Sequence, residues 1–182
     1  EVDLRHSLDL LFAIIENIPD KIFLKDAGEL RFELFNKAGE ELVGYRREEL
    51  IGKNDYDFFP KEQADFFTRS DYEVLSERKP RDIPQEYIQT RDKGQRILHT
   101  KKMPILPDEK GDPQFLLGIS EDITDRRQAE EALRDSEERL RATLDNSPAV
   151  VYLKDPEGRF IMVNRRFETL FGWTRDKIHG KT

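Results

Sequence analysis

The sequence predicts an α+β fold built around an antiparallel sheet. Two short, aromatic-rich runs at residues 21–25 and 30–35 come first, and a helical stretch follows them. Three more strand-like runs lie at residues 83–90, 96–105 and 114–123. Strands that are grouped before and after a helical stretch are typical of α+β domains with an antiparallel sheet. A third observation is that the beginning of this pattern returns near the C-terminus.

That internal repeat indicates two tandem domains. The ten residues that start at Asn17 return at Asn146, 129 residues later, and Asn36 then matches Asn164. An interval of this length is too long for a solenoid repeat and suits whole domains. The predicted divisions are an N-terminal amphipathic helix (1–16), a complete domain (17–124), a helical linker (125–145) and the start of a second domain (146–182). Because the chain starts at Glu1 without a methionine, we expect it to be a piece of a longer protein.

The first helix is predicted from an apolar stripe. Leu4, Leu8, Leu11 and Ile15 recur at spacings of four, three and four, which is the period of one helix face. A stripe on a separate helix cannot be covered by the helix's own sheet. We therefore expect these four residues to hold a parallel homodimer.

The helical stretch between the strands has its own start and stop signals. Asn36 can cap a helix that extends to residue 43, and Gly44 can end it. A short helix is expected at residues 46–50, and a longer one at residues 61–78 after Pro60.

The linker at residues 125–145 predicts a second exposed helix. It contains no glycine or proline, and Ala129, Leu133, Ser136, Leu140 and Thr143 alternate at steps of four and three. The pattern fits a solvated connecting helix. We favour a contribution to a dimer contact, because Leu133 and Leu140 need something to pack against.

Composition excludes several classes of protein. The 182 residues hold 31 basic and 38 acidic side chains, for a net charge of −7, and this balance argues against nucleic-acid binding. The absence of cysteine excludes a disulfide scaffold and a thiolate zinc site. No apolar run approaches the roughly 18 residues of a membrane span, so we expect a cytoplasmic domain without membrane contact.

The sequence offers no catalytic or metal-binding motif. His6, His99 and His179 lie on three different predicted segments and have no spacing that would gather them on one metal. Neither a phosphate-binding loop nor a nucleophile motif is present, so we expect no catalytic residues and no metal site.

An aromatic run at Phe58 and Phe59, followed by Phe66 and Phe67, has two interpretations. It can be ordinary core between a helix and the sheet, or it can line an apolar ligand pocket there. The candidate pocket residues are Phe35, Phe58, Phe66, Phe67, Tyr87 and Ser120.

The ordered motifs of the first unit resemble a PAS domain, the sensory module of bacterial signalling proteins. The resemblance covers residues 8–124 and again 140–182. Its most specific motifs are Asn17-x-Pro19, Phe23-Leu24-Lys25-Asp26, Phe35-Asn36, Gly44-Tyr45, Leu50-x-Gly52-Lys53, Asp57-Phe58-Phe59-Pro60 and Gly118-Ile119-Ser120-Glu121-Asp122-Ile123-Thr124. It implies a five-stranded antiparallel sheet in the order 2-1-5-4-3, with helices on one face around a ligand pocket.

The resemblance also implies a signalling junction. In the family, the Asp-Ile-Thr triplet stands where the last strand passes into an output helix, which here means Asp122 and Thr124. Asp122 would pair with a basic residue of the neighbouring hairpin, for which Arg96 is the candidate. Thr124 would cap the output helix through its hydroxyl.

Differences from the photosensing and haem-binding members of the family narrow the range of possible ligands. Without a cysteine, neither a flavin–cysteinyl adduct nor a thioester-linked chromophore can form, and the absence of histidine from residues 61–78 argues against haem. A non-covalent flavin, a small organic ligand or no ligand remain open.

The resemblance implies a sensory and dimerisation module of a multi-domain signalling protein, most often a histidine kinase of a two-component system or phosphorelay. The alternatives are a diguanylate cyclase or phosphodiesterase, or a ligand-free structural spacer.

Overall fold

The computed structural model describes residues 2–107 and 111–182. The chain divides into two compact units, Glu1–Asp125 (unit 1) and Arg126–Thr182 (unit 2). Among the described residues, no helix is both long and apolar enough to cross a membrane.

Unit 1 holds one sheet with its helices. Its elements, in chain order, are α1 (Val2–Asn17), β1 (Lys21–Asp26), β2 (Phe32–Phe35), α2 (Lys37–Val43), α3 (Arg47–Leu50), a 3-10 helix (Asp55–Asp57), α4 (Lys61–Glu77), β3 (Arg81–Gln89), β4 (Gln95–Ile105) and β5 (Phe115–Asp122). The five strands are ordered β2-β1-β5-β4-β3, and every neighbouring pair is antiparallel. The expected fold class and strand order are confirmed.

The caps of α2 follow directly from the sequence. The Asn36 side-chain Oδ1 accepts a hydrogen bond from the backbone N–H of Gly39, at 3.0 Å, and so begins the helix. Gly44 ends the helix with a φ of 84°, a left-handed conformation that favours glycine. Both sequence predictions are confirmed here.

Two predicted elements are cut short by residues with a left-handed backbone. The second strand starts at Phe32 rather than at residue 30, because Leu30 has a left-handed φ of 56°. The Asp26 carboxylate stabilises the preceding turn by accepting hydrogen bonds from three backbone N–H groups. Helix α4 ends at Glu77 because Arg78 is also left-handed, with a φ of 53°.

The core of unit 1 lies between the inner face of the sheet and the helices. Phe23 on β1 and Phe67 on α4 are both buried in it. The ring of Phe23 lies directly over Gly118 of β5, where a Cβ atom would overlap the ring. Gly118 therefore gives Phe23 the room to fill the centre of the inner face.

Unit 2 contains a smaller set of elements. Helix α5 (Thr124–Asp145) begins at the end of unit 1 and is followed by β6 (Tyr152–Lys154), β7 (Phe160–Val163), α6 (Arg165–Phe171) and α7 (Arg175–Ile178). β6 and β7 form a two-stranded antiparallel sheet. The buried cluster consists of Val163, Phe167 and Ile178.

Candidate functional site

The inner face of the unit 1 sheet carries charge as well as apolar bulk. Side chains alternate along a strand, so Lys21, Phe23 and Lys25 of β1 all face inward, and all three are buried. In the strand register Lys21 lies opposite Ser120 of β5, which in turn lies opposite Thr100 of β4. A polar row thus crosses the centre of the sheet.

Five charged side chains form a buried ion network on this face. Lys25 Nζ lies 2.5 Å from Asp55 Oδ2 and 2.7 Å from Asp71 Oδ2. Lys102 Nζ lies 2.7 Å from the other Asp71 oxygen and 3.5 Å from Glu86 Oε1. No member of the network is more than 4% exposed. Asp71 of α4 therefore joins the helix to strands β1 and β4.

The network shifts the pKa of its members in directions that follow from their partners. Burial alone would lower the pKa of Lys25, but the charges of Asp55 and Asp71 outweigh it and raise that pKa well above the usual range. Burial would raise the pKa of Asp71, and two lysines outweigh it and lower that pKa below its ordinary value. For Asp55 burial prevails over the attraction of Lys25, so its pKa is raised.

Lys21 lies beside this network, but the neighbouring carboxylates do not outweigh the cost of burying its charge. Burial lowers the pKa of Lys21 to about 8, and the charge of Glu86 only partly opposes the shift. Its Nζ lies 4.7 Å from the centroid of the Phe23 ring. Within residues 2–107 and 111–182, the buried oxygen Glu86 Oε1 has no hydrogen-bond partner besides its 3.5 Å ion pair with Lys102.

The structure brings some of the predicted pocket residues together in this interior. Phe35, Phe67 and Ser120 are buried, and Ser120 Oγ lies 2.9 Å from Thr100 Oγ1. Phe58 is half-buried and packs on Tyr45, with the ring centroids 4.9 Å apart.

Phe66 and Tyr87 require a correction, because each is 46% exposed. Neighbouring residues of a helix point about 100° apart, so Phe66 turns outward when Phe67 packs inward. Tyr87 stands between Glu86 and Ile88 on β3, and both of these side chains are buried. Strand alternation therefore directs Tyr87 away from the interior.

Our sequence analysis did not identify the ion network, although one signal for it was present. Asp71 lies four residues after Phe67 and three before Val74, so it shares their apolar helix face. An acidic residue at such a position needs a buried partner. The identity of that partner depends on strand pairing, which the helix pattern does not reveal.

The strand-to-helix junction places the predicted signalling residues side by side. Arg96 Nε lies 3.7 Å from Asp122 Oδ2 at the end of β5. Arg96 Nη1 also donates to Asp125 Oδ1 in the first turn of α5, at 3.1 Å. One guanidinium on β4 thus contacts both sides of the junction.

The hydrogen bonds of Thr124 join the end of β5 and the start of α5 to β4. The Thr124 backbone N–H donates to Asp122 Oδ1 at 3.0 Å, so the aspartate supplies the acceptor at the start of α5. The Thr124 hydroxyl donates to the same oxygen and accepts from the backbone N–H of Ile97, at 2.8 Å. The hydroxyl therefore ties α5 to β4.

The α1 stripe lies largely on the surface of unit 1. Leu4, Leu8 and Leu11 are 68%, 46% and 54% exposed, and Ile15 is half-buried. Among the described residues, no group of three histidine or acidic side chains is arranged to hold a metal ion.

Comparisons with known proteins agree with this architecture. A family model described as "PAS fold" matches residues 15–128, and a second, described as "PAS domain", matches residues 138–182. The solved structure of the PAS domain from Bordetella pertussis BvgS covers 74% of this chain and 98% of its own, with a TM-score of 0.55 and 22% identity. At that identity the likeness concerns the fold.

The chain spans only a small part of the length of the curated relatives it matches, among which are sensor proteins. The virulence sensor protein BvgS of Bordetella pertussis is 35% identical over 68 residues, which are 37% of this chain and 6% of that protein. The probable diguanylate cyclase DgcE of Escherichia coli is 35% identical over 72 residues, which are 40% of this chain and 6% of that protein. Since the first family model alone matches more than half of the sequence, the chain belongs to the PAS family, and its complete unit is a sensory domain rather than an enzyme.

Proposed function

We propose that unit 1 is a sensory and dimerisation module that passes its state through the Asp122, Ile123 and Thr124 junction into α5. The observation that supports this most directly is the position of Arg96, which contacts Asp122 on one side of the junction and Asp125 on the other. A small shift of β4 against β5 would change both contacts at once. The start of α5 would then respond to the state of the sheet.

The proposed destination is a downstream domain of the same polypeptide, a histidine kinase in the cytoplasm. The sensor proteins among the relatives support a signalling output, while the match to a probable diguanylate cyclase supports the alternative output. The matched segment is only 6% of BvgS and of DgcE, so the kind of output is inferred from the relatives' names. The acidic balance supports a partner other than nucleic acid.

The relay is tested by Asp122→Ala in the intact signalling protein. We expect output, measured as autophosphorylation or as cyclic dinucleotide synthesis, to change severalfold. The protein should still fold, because a partly exposed ion pair contributes only about 0–1 kcal/mol and the hydrogen-bond acceptor at the start of α5 about 1 kcal/mol. The matched control is Glu33→Ala, which removes an exposed carboxylate of β2, a strand that does not take part in the junction. Output equal to that of the unchanged protein would contradict the relay.

The packed interior supports a module that passes on its state without a small molecule bound between helix and sheet. Phe23 fills the centre of the inner sheet face, and the ion network between Lys25, Asp71 and Lys102 joins helix to sheet beside it. A ligand in that space would have to displace an aromatic ring or separate buried charges. Native mass spectrometry of the purified chain should give the mass of the polypeptide alone, and a retained organic molecule would contradict this.

A parallel homodimer through α1 completes the proposal. Helix α1 has 16 residues and leaves most of its apolar side chains in water. Helices of this length are marginal unless an apolar face is packed. A second copy of the same helix would cover the stripe of Leu4, Leu8, Leu11 and Ile15.

A further inference from the structure

Helix α1 is fastened to unit 1 by an arginine that binds two carboxylates. Arg47, the first residue of α3, donates from Nη1 and Nη2 to the two oxygens of Glu16 in the last turn of α1, at 3.0 and 2.8 Å. The same guanidinium donates to Glu40 Oε2 of α2. The backbone N–H of Arg47 donates to the other oxygen, Glu40 Oε1, at 2.7 Å. Arg47 thus joins the end of α1 to both short helices.

A second contact at the same place comes from an asparagine. Asn36 Nδ2 donates to the backbone carbonyl of Ile15, in the last turn of α1, at 3.0 Å. Its Oδ1 meanwhile caps α2 through Gly39. The end of α1 is therefore held by a side chain that also begins the next helix.

Unit 2 repeats this arrangement around the end of α5. Arg175, the first residue of α7, donates from Nη2 to both oxygens of Asp145, at 3.3 and 3.2 Å, and to Glu168 Oε2 of α6 at 3.1 Å. Its backbone N–H donates to Glu168 Oε1 at 2.7 Å. Asn164 Nδ2 donates to the carbonyl of Leu144 at 2.8 Å, as Asn36 does to Ile15.

The carboxyl pKa values around the two arginines are shifted in the same direction. Hydrogen bonds and charge from Arg47 outweigh burial and lower the pKa of Glu40, and Arg175 lowers the pKa of Glu168. The hydrogen bonds from Arg165 N–H and Arg175 likewise outweigh burial and lower the pKa of Asp145. Glu40, Glu168 and Asp145 therefore stay charged at neutral pH.

The helices also correspond in sequence. Reading back from the repeat, Leu11 and Leu4 of α1 match Leu140 and Leu133 of α5, each 129 residues later. Ala13 matches Ala142 and Ser7 matches Ser136 at the same interval. The repeating element of this chain therefore includes the helix that precedes each sheet.

We infer that Arg47 and Arg175 are equivalent positioning residues, each of which clamps the last turn of the preceding helix onto the unit that follows. Helix α5 then precedes and contacts the sheet domain of unit 2 as α1 precedes and contacts that of unit 1. At its start, α5 is attached through Asp125 and Thr124 to β4 of unit 1. A signal that enters α5 at the junction would be delivered at Asp145 and Leu144, so the inference extends the proposed relay and names where it ends.

The clamp is tested by amide hydrogen exchange on the whole chain with Arg175→Gln and Arg47→Gln. We expect Arg175→Gln to speed exchange about three- to tenfold in residues 139–146, because a charge-assisted network is lost from a partly exposed site. Exchange in the β6–β7 hairpin should stay unchanged. Arg47→Gln should have the same effect on residues 10–17, with the unit 1 sheet unchanged.

Matched controls separate the clamp from a general effect of arginine removal. Arg166→Gln in unit 2 and Arg69→Gln in unit 1 remove exposed arginines of neighbouring helices and should leave exchange unchanged. Asp145→Asn, which keeps the size of the side chain, should reproduce the effect of Arg175→Gln. Exchange equal to that of the controls, or raised uniformly through a unit, would overturn the inference.

This measurement does not depend on signalling output. A silent Asp122→Ala variant would contradict the relay and leave the clamp standing. Unchanged exchange in the helix ends would contradict the clamp whatever Asp122→Ala does.

Discussion

The two inward-facing lysines of β1 stand in opposite electrostatic situations. Lys25 lies between two carboxylates at hydrogen-bond distance, whereas the charges of Glu86 and Asp55 do not outweigh the burial of Lys21. Buried charges are tolerated when they are paired and costly when they are not. The same residue type on the same face should therefore stabilise the fold at one position and destabilise it at the other.

Replacing Lys25 by methionine, which keeps most of the volume, should lower the free energy of unfolding by about 3–5 kcal/mol. The reason is that Asp55 loses its lysine partner and Asp71 loses one of two. Urea unfolding followed by circular dichroism measures the change. The control is Lys101→Met, at the exposed position of β4 that precedes the buried Lys102. It should change stability by no more than about 0.5 kcal/mol. Equal losses in the two variants would show that the network is not a major source of stability.

Lys21→Met should raise stability at neutral pH, and the gain should depend on pH. Below the folded pKa of about 8 the amine is charged in both states, so the folded protein bears the full cost of burying it. Between about 8 and the ordinary value of 10.5, the unfolded chain keeps a proton that the folded chain has released, so the stability of the unchanged protein rises with pH.

The expected gain is roughly 1–3 kcal/mol at pH 7, shrinking toward pH 10.5. Urea unfolding of both proteins at pH 7 and pH 10 provides the comparison. A difference that is the same at both values would mean that Lys21 is not the titrating group.

At the scale of elements, helix α1 carries the most exposed apolar surface of unit 1. Leu10, Phe12 and Ile14 are also about half exposed, so the apolar surface extends beyond the predicted stripe. The Arg47 contact fixes the end of the helix, and the earlier turns are left for another surface to cover.

Leu8→Glu should convert the proposed dimer to a monomer, since it introduces a charge in the middle of the stripe. Sedimentation velocity at tens of micromolar protein measures the change. His6→Glu introduces the same charge about 200° around the helix and should leave the dimer intact. A monomeric unchanged protein would contradict the dimer directly.

At the scale of the whole molecule, the two units differ in how much sheet they have. Among the described residues, unit 1 has five strands, while unit 2 has the counterparts of only the first two. A lone two-stranded hairpin is marginal in water. Tyr152, Phe171 and Trp173 of unit 2 are each at least 50% exposed.

We therefore expect amides in residues 147–182 to exchange much faster than those in residues 20–107 and 111–123. Hydrogen exchange with mass spectrometry at neutral pH measures both regions in one experiment. The expected order follows from the number of buried apolar contacts that must open in each unit. Equal protection would show that residues 146–182 are an independently folded element, and the predicted domain boundary would then be wrong.

The sequence alone determined the α+β class, the duplication and the ends of α2, because these depend on periodicity and on local capping chemistry. Asn36 and Gly44 act on their own neighbours, and their roles can be read from the residues beside them. The tertiary structure alone decided that Phe66 and Tyr87 face outward and that Lys25 of β1 meets Asp71 of α4. It also decided that Arg47 and Arg175 clamp the preceding helices. These pairings join residues about 30 or more positions apart, and strand register and helix rotation, which no local pattern specifies, bring them into contact.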